Sequence, residues 1–368
     1  MAFTAFDSLA MRRALEIARR GLGHVEPNPM VGAVIAAPQE EGRIVAEGWH
    51  ATFGGPHAEV VALAAAGSAA RGATLYVTLE PCCHQGKTPP CTDAILAAGI
   101  ARVVVATDDP FPQVAGRGLD ALRRAGITVD VGLHATEARR LTAPFRKLVT
   151  MGRPWVIAKW AMSLDGRLAT PLGDDRWISS AESRALVHEL RGRIDAIAVG
   201  LGTVRADDPL LTARPAGPRQ ALRIVFDDEA LLSPETRLVR TAGDVPVLVV
   251  VGPGDQTGRS AALEAAGCEV WRSAAHDRGT RLAALLDELG RRKVTNLLVE
   301  GGSALLASCF SHGQVDEVWA FVAPRLIGGP ASLAAFVDAP AIDVEDVSHP
   351  GGDVLIRGLV RPAHSHGA

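Results

Sequence analysis

The chain has 368 residues, 48% apolar and 21% charged, which suits two globular domains with sizeable cores. Its net charge of −3 offers no basic field to hold a polyanion, and 4% aromatic residues leave few platforms for stacking bases, so nucleic acid is not expected as a partner. No apolar run reaches the roughly 18 residues of a membrane span, and the opening MAFTAFDSLAMRRALEIARRG, with arginines inside its apolar pattern, reads as an amphipathic helix rather than a signal peptide.

In chain order, the apolar spacing predicts a helix over Leu9 to Arg20, stopped by Gly21 and Gly23, then strands over Val31 to Ala36 and Ile44 to Glu47. Glu59 to Ala66 reads as helix, Thr74 to Leu79 as strand, Thr92 to Ala98 as helix and Ala101 to Ala106 as strand; Leu119 to Ala125 and Thr128 to Val131 repeat that order. The pattern restarts at Trp155 to Trp160. Strands follow at Ala196 to Val199, Leu222 to Phe226, Val245 to Val251, Leu297 to Val299 and Val318 to Val322, with helices including Ala181 to Arg191 and Arg281 to Leu289. This alternation predicts an α/β chain with largely parallel sheets, divided into 1–148 and 149–368 by a short junction without Gly/Ser enrichment. Such a junction favours a fixed domain arrangement, and with the apolar share it favours a homo-oligomer. The tail RPAHSHGA reads as frayed, with solvated histidines.

Three of the five cysteines fall within ten residues, which is a poor disulfide framework and points to metal or catalytic thiols in a cytosolic, hence cytoplasmic, protein. Upstream stands His57-Ala58-Glu59. A catalytic zinc takes nitrogen and sulfur ligands and keeps one position for water, whose pKa falls towards about 7. His57 offers the nitrogen. Cys82 and Cys91, each after a proline at the start of a helix-like segment, offer two thiolates. Glu59 is the candidate catalytic residue, moving a proton from water to a departing amine. Zinc deaminases pair H-x-E with P-C-x-x-C, whereas here eight residues separate Cys82 from Cys91. Cys83, adjacent to Cys82, reads as a neighbouring thiol. A closed structural site with Cys83 or His84 as fourth ligand would leave Glu59 without a task.

The stretches PNPMVGAVI, HAEVVAL, TLEPCCHQGKTPPC and DPFPQVAGRGL resemble the deaminase half of the bifunctional riboflavin-biosynthesis deaminase/reductase family, in which the cysteines have this spacing and serine often stands at position 83. The resemblance implies a cytidine-deaminase-like α/β/α layer domain with His57, Cys82 and Cys91 on Zn2+ and Glu59 as proton shuttle. It places Asn28, His50, His84 and Lys87 in the pocket for a phosphorylated pyrimidine. An amide suits a base edge and a lysine a phosphate.

Downstream there is no full G-x-G-x-x-G; GLGTVR and GPGDQT lack the third glycine. In NLLVEGGSALLASCF, a strand ending in Glu300 turns through two glycines into a helix near Ser303, which aims helix-terminal amides at an anion. AMSLDGRLA, DDRWISS and GLGTVRADDPLLTAR are similar to the reductase half of the same family, which implies a dihydrofolate-reductase-like α/β domain binding NADPH. The implied NADPH contacts are Ala161, Trp177, Thr203, Asp207, Asp228, Gly302, Ser303, Ala304, Leu305, Leu306, Ala307 and Ser308. Substrate contacts are implied at Asp175, Arg191, Leu211, Arg214 and Glu300, and Lys159 and Asp165 fall near the hydride-transfer site. An acidic Asp228 is unusual beside a phosphorylated cofactor, and Asp165 also reads as a turn residue before Gly166.

The resemblance covers about residues 5 to 360 and implies deamination of 2,5-diamino-6-ribosylamino-4(3H)-pyrimidinone 5′-phosphate, then NADPH-dependent reduction of its ribosyl group to ribityl. Two rivals are a nucleoside or tRNA deaminase fused to an unrelated domain, and a zinc-stapled nucleotide sensor without turnover.

Overall fold

A computed structural model describes residues 3–37, 43–86, 89–168, 177–255, 258–328 and 340–361. Lys87, Asp175 and the tail histidines lie outside the described residues. The chain forms two compact units, Met1–Gly152 and Arg153–Ala368.

The first unit runs α1 (Ala5–Ala18), β1 (Gly32–Ala36), β2 (Ile44–Trp49), α2 (Ala58–Ala66), β3 (Thr74–Val77), α3 (Cys91–Ala98), β4 (Arg102–Val105), α4 (Arg117–Arg124), β5 (Thr128–Val131), α5 (Ala135–Leu141) and α6 (Ala143–Met151). The expected boundary at 148/149 falls inside α6. That helix continues to Met151 and ends at Gly152 in the left-handed conformation (φ 66°), so the division follows Gly152. Helix α1 likewise starts before Leu9, because Thr4 and Asp7 form a reciprocal capping box. Asp7 also accepts from Tyr76 Oη at 2.7 Å and Arg102 Nη1 at 2.7 Å, tying the helix start to β3 and β4.

The sheet order is β2-β1-β3-β4-β5. It is mixed rather than largely parallel: β1 runs antiparallel to both neighbours, and β3, β4 and β5 are parallel. Strand alternation sends Val34, Tyr76 and Val104 to a core with Met11 and Ala14 of α1, and Ile35, Leu75 and Val103 to a second with α2, α3 and α4. Two glycines set the helix–sheet distance. A Cβ at Gly32 would lie 2.0 Å from Ala14 O, and one at Gly48 2.4 Å from Ala58 O, so β2 presses directly on the first turn of α2.

The second unit runs β6 (Trp155–Ser163), α7 (Ala181–Arg191), β7 (Ala196–Gly200), α8 (Leu201–Asp207), β8 (Leu222–Phe226), α9 (Arg237–Arg240), β9 (Val247–Val251), α10 (Arg259–Ala265), β10 (Glu269–Arg272), α11 (Arg278–Arg291), β11 (Asn296–Glu300), α12 (Ser303–Ser311), β12 (Glu317–Ala323), β13 (Ile342–Ser348) and β14 (Val354–Val360). Its order is β10-β9-β8-β7-β11-β6-β12-β14-β13, parallel from β10 through β12. The last two strands are antiparallel additions. Sequence reading missed β13 because Asp343, Glu345 and Asp346 break its apolar pattern at the sheet edge, as charged edges do. Leu282, Leu285, Leu286 and Leu289 of α11 cover one sheet face with α12; Val204, Leu238, Val239 and Leu263 cover the other. Strand β11 inserts between β7 and β6, so the carboxyl ends of these three strands meet where the strand order reverses, the usual ligand crevice of open α/β sheets.

Candidate active sites

His57 precedes α2 with extended backbone (φ −73°, ψ 159°) and makes no capping bond to that helix. Its Nδ1 faces two sulfurs instead, 3.2 Å from Cys91 Sγ and 3.5 Å from Cys82 Sγ. The three donor atoms lie within 4.8 Å of one another. Cys91 opens α3 after Pro90 as expected, but Cys82 does not start a helix. Its thiolate is stabilised by its neighbours. The thiol of Cys91, the His57 ring and the Cys91 amide at 3.3 Å hold Cys82 well below the usual thiol range, against its burial. Cys91 moves up, because Cys82 accepts its proton and burial opposes a second thiolate; His57 is raised by the same sulfur. One nitrogen and two sulfurs at this separation fit a zinc ion with one further position for solvent.

Glu59, the second residue of α2, is 3% exposed, and burial holds its carboxyl up at about 7. It is thus able to carry a proton near neutral pH. His50, also buried, donates from Nδ1 to Pro56 O at 3.0 Å and accepts at Nε2 from Asn28 Nδ2 at 3.3 Å; burial keeps it neutral. Its ring stands edge-on to His57, centroids 5.5 Å apart. Asn28, His50, His57 and Glu59 thus gather around one site. The half-buried His84 lies 5.9 Å from the Phe111 ring, and its Nδ1 has no hydrogen-bond partner among the described residues. Cys83 turns its sulfur towards Gln113 O, 3.9 Å away, and takes no part in the cluster.

Sequence reading assigned no role to Glu80 or Asp109. Both are buried beside the cysteine loop, and burial holds Asp109 up at about 6. An acidic residue ending an apolar strand next to Pro-Cys was the available signal.

In the second unit, Glu300 ends β11, buried, and accepts from Arg191 Nε at 2.6 Å and Nη2 at 2.8 Å. Lys159 Nζ of β6 stands 3.8 Å from the same carboxylate. Burial opposes the Glu300 charge, but Arg191 and Lys159 outweigh it and leave the carboxyl at about 2, while burial lowers Lys159. His188, one turn earlier on α7, donates from Nδ1 to Thr212 O at 3.1 Å and accepts from exposed Arg214 at 3.4 Å. Burial, then Arg191 and Arg214, keep it neutral. Sequence reading missed His188, although its three-residue offset from Arg191 put both on one helical face. Lys159, Arg191, Arg214 and Glu300 therefore share one crevice. Leu211 does not offer its side chain there: it is 3% exposed in the core, with left-handed backbone (φ 54°), which leaves only its main chain for a ligand.

At the adjoining turn, Gly301 (φ 64°) and Gly302 (φ 71°) adopt the left-handed conformation, and no side chain caps α12. Thr203 of α8 backs this turn: a Cβ on Gly302 would lie 3.1 Å from its Oγ1. The turn and the start of α12 form a cradle that a pyrophosphate fits. Ser303 and Ala304 lie in the first turn of α12, and Ala307 and Ser308 in the second, where the buried Ser308 Oγ has no partner among the described residues. Leu305 and Leu306 belong to the core, so the cofactor contacts expected of them reduce to main chain. Ala161 lies on β6 opposite Phe321, and Asp207 ends α8. Trp177 is exposed, with the Arg184 guanidinium 4.9 Å above its ring.

Asp228 follows β8. It pairs with buried Arg281 and with Arg278 at 3.3 Å, which neutralises the charge that made it anomalous beside a phosphate. Asp165 accepts from Ser163 Oγ at 2.5 Å and from the amides of Gly328 and Ile327 at 2.7 and 3.1 Å, all of which hold it well below the usual carboxylate range. These bonds fasten a turn.

The first site has the donor set and buried carboxylate of a zinc-dependent base deaminase; the second has the strand-end crevice of a nucleotide-dependent reductase. The description "Cytidine and deoxycytidylate deaminase zinc-binding region" matches residues 4–107, and "RibD C-terminal domain" matches 154–350. The riboflavin biosynthesis protein RibD of Aquifex aeolicus is 40% identical over 95% of this chain and 97% of its own. The solved structure of Acinetobacter baumannii RibD is 34% identical, with TM-score 0.83 over 97% of this chain and 99% of that one. A Thermotoga maritima diaminohydroxyphosphoribosylaminopyrimidine deaminase/5-amino-6-(5-phosphoribosylamino)uracil reductase is 35% identical, with TM-score 0.82 over the same shares. The chain belongs to the RibD family of bifunctional riboflavin-biosynthesis enzymes.

Proposed function

We propose that the first unit performs the deamination, with His57, Cys82 and Cys91 as zinc ligands and Glu59 as the catalytic proton carrier, and that the second performs the NADPH-dependent reduction. The observation that carries the first assignment is the convergence of His57 Nδ1 and two sulfurs within 4.8 Å, with the buried Glu59 beginning the same helix. Bound there, zinc supplies the Lewis acidity that makes water a nucleophile near neutral pH. Glu59, with a carboxyl at about 7, takes the water's proton and returns it to the departing amine, so ammonia leaves as a neutral group. The substrate is the phosphorylated diaminopyrimidinone, its ring read by the Asn28 amide and by His50 and His84, and its phosphate met by Lys87.

In the second unit, NADPH lies along the Gly301–Gly302 turn with Thr203 behind it, and supplies the hydride. Arg191 and Lys159, held in place by Glu300, face the ribosyl group, and Arg214, oriented by His188, suits the substrate phosphate. The small phosphorylated pyrimidine is the partner of both sites, nucleic acid is not, and the reading includes a cytoplasmic homo-oligomer. Among the described residues no helix is long and apolar enough to cross a membrane.

Two assays test the proposal on the full chain. Chelation should abolish ammonia release and leave NADPH oxidation on the deaminated substrate intact; undiminished ammonia release from metal-free protein would reject the first assignment. Gly302→Asp should abolish NADPH oxidation alone, and full oxidation by that variant would reject the second.

A further inference from the structure

Glu80, two residues before Cys82, is 3% exposed, and its carboxylate is filled by main-chain donors. Oε1 accepts from the amides of Gly118 at 2.9 Å and Leu119 at 3.3 Å; Oε2 accepts from Gly116 at 3.0 Å and Asp109 at 3.3 Å. Two oxygens with two acceptor directions each match four donors, which neither a neutral amide nor a shorter acid can do. Gly118 and Leu119 lie in the first turn of α4, whose amides have no partner within the helix. The same turn presses on the cysteine loop. A Cβ at Gly118 would lie 2.1 Å from Pro81 O, the carbonyl of the peptide that leads into Cys82. The segment meets the loop twice more, through Phe111 against the His84 ring and through Gln113 O towards Cys83 Sγ. Residues 109–119 thus back the loop 80–84, and one carboxylate joins them.

We propose that Glu80 is a positioning residue of the deaminase centre: by gathering four amides of the 109–119 segment, it holds Cys82 at the separation from His57 and Cys91 that a metal ion requires. Cys82 itself has no regular secondary structure to place it, unlike His57 at the start of α2 and Cys91 at the start of α3. Its position is set by the main chain on either side, the Thr92 amide on its carbonyl at 3.2 Å and the Glu80 cluster behind Pro81. The inference rests on the ligand assignment above.

The test replaces zinc by Co(II) in the full chain and reads the thiolate charge-transfer and ligand-field bands, together with the rate of metal loss to a chelator. Glu80→Gln keeps the size of the side chain but turns an NH2 group towards two amide donors. If wild-type protein shows no thiolate bands, the ligand assignment fails and takes the inference with it. With those bands present in the wild type, Glu80→Gln should shift the ligand-field bands and lose metal about 10- to 100-fold faster, the range for partners that orient metal ligands. Circular dichroism and a thermal melt of the variant should match those of the wild type, which shows that the first unit has folded. An unchanged spectrum and unchanged metal loss would overturn the proposal. Should Glu80→Gln not yield folded protein, Gly118→Ala decides by the same two readings, because its methyl group displaces the Pro81 carbonyl: altered bands and faster loss support the proposal, and wild-type behaviour overturns it.

Discussion

The two sites solve the problem of buried charge in opposite ways. In the first unit, hydrogen bonds within one cluster stabilise the Cys82 thiolate, given by the Cys91 thiol and the His57 ring, and the three donor atoms lie within 4.8 Å of one another. In the second, Glu300, Arg191 and Lys159 neutralise each other before any ligand arrives. The first cluster gathers ligand atoms that a metal takes; the second neutralises its own charges through ion pairs.

That contrast can be broken experimentally. The largest effect is expected from Glu59→Gln, which should lower ammonia release by about 10²- to 10⁴-fold with zinc content and NADPH oxidation unchanged. Deamination at the wild-type rate would remove Glu59 from the mechanism. Arg191→Met should destabilise the second unit by about 3–5 kcal/mol in a denaturant titration, because it strands the buried Glu300 charge, and adding Glu300→Gln should recover part of the loss. If the single variant unfolds with wild-type protein, the pairing contributes nothing.

The acid limb sharpens the same point. Glu300 titrates at about 2 when folded, against an ordinary 4.5, so its stabilisation is complete above pH 4.5 and is lost as pH falls through 2. The difference amounts to about 3 kcal/mol, and Glu300→Gln should flatten that part of the stability–pH curve. The smallest effect concerns how the first site is held. Gly48→Ala puts a methyl group against Ala58 O and should cost about 1–3 kcal/mol while displacing His57 and Glu59, lowering deamination more than thermal stability alone explains. A variant with unchanged activity would show that α2 tolerates the shift.

The cluster of His57, Cys82 and Cys91 was largely legible in the sequence because its donors are local to their elements. His57 and Glu59 share the start of α2, and Cys91 opens α3. What escaped reading there was Glu80, whose partners lie at 109–119, and the antiparallel placement of β1, which helix–strand alternation does not reveal. The second site was legible chiefly as residue identities. Nothing in the local pattern around Lys159, Arg191 or Glu300 pairs them, and the side chains of Leu211, Leu305 and Leu306 are buried in the core. Asp228 looked anomalous until Arg281, more than fifty residues later, was seen beside it.

By itself, then, the amino-acid order determined the α/β class of the chain, the kinds of ligand atom available for a metal, and the glycine turn before α12. Each depends on periodicity or spacing within a few residues, where covalent geometry limits what the backbone can do. The tertiary structure alone decided which charges neutralise each other and which amides fill Glu80. Insertion of β11 between β7 and β6 brings together groups far apart in the chain, and burial favours their pairing, since an unpaired charge in that interior destabilises the fold by several kcal/mol.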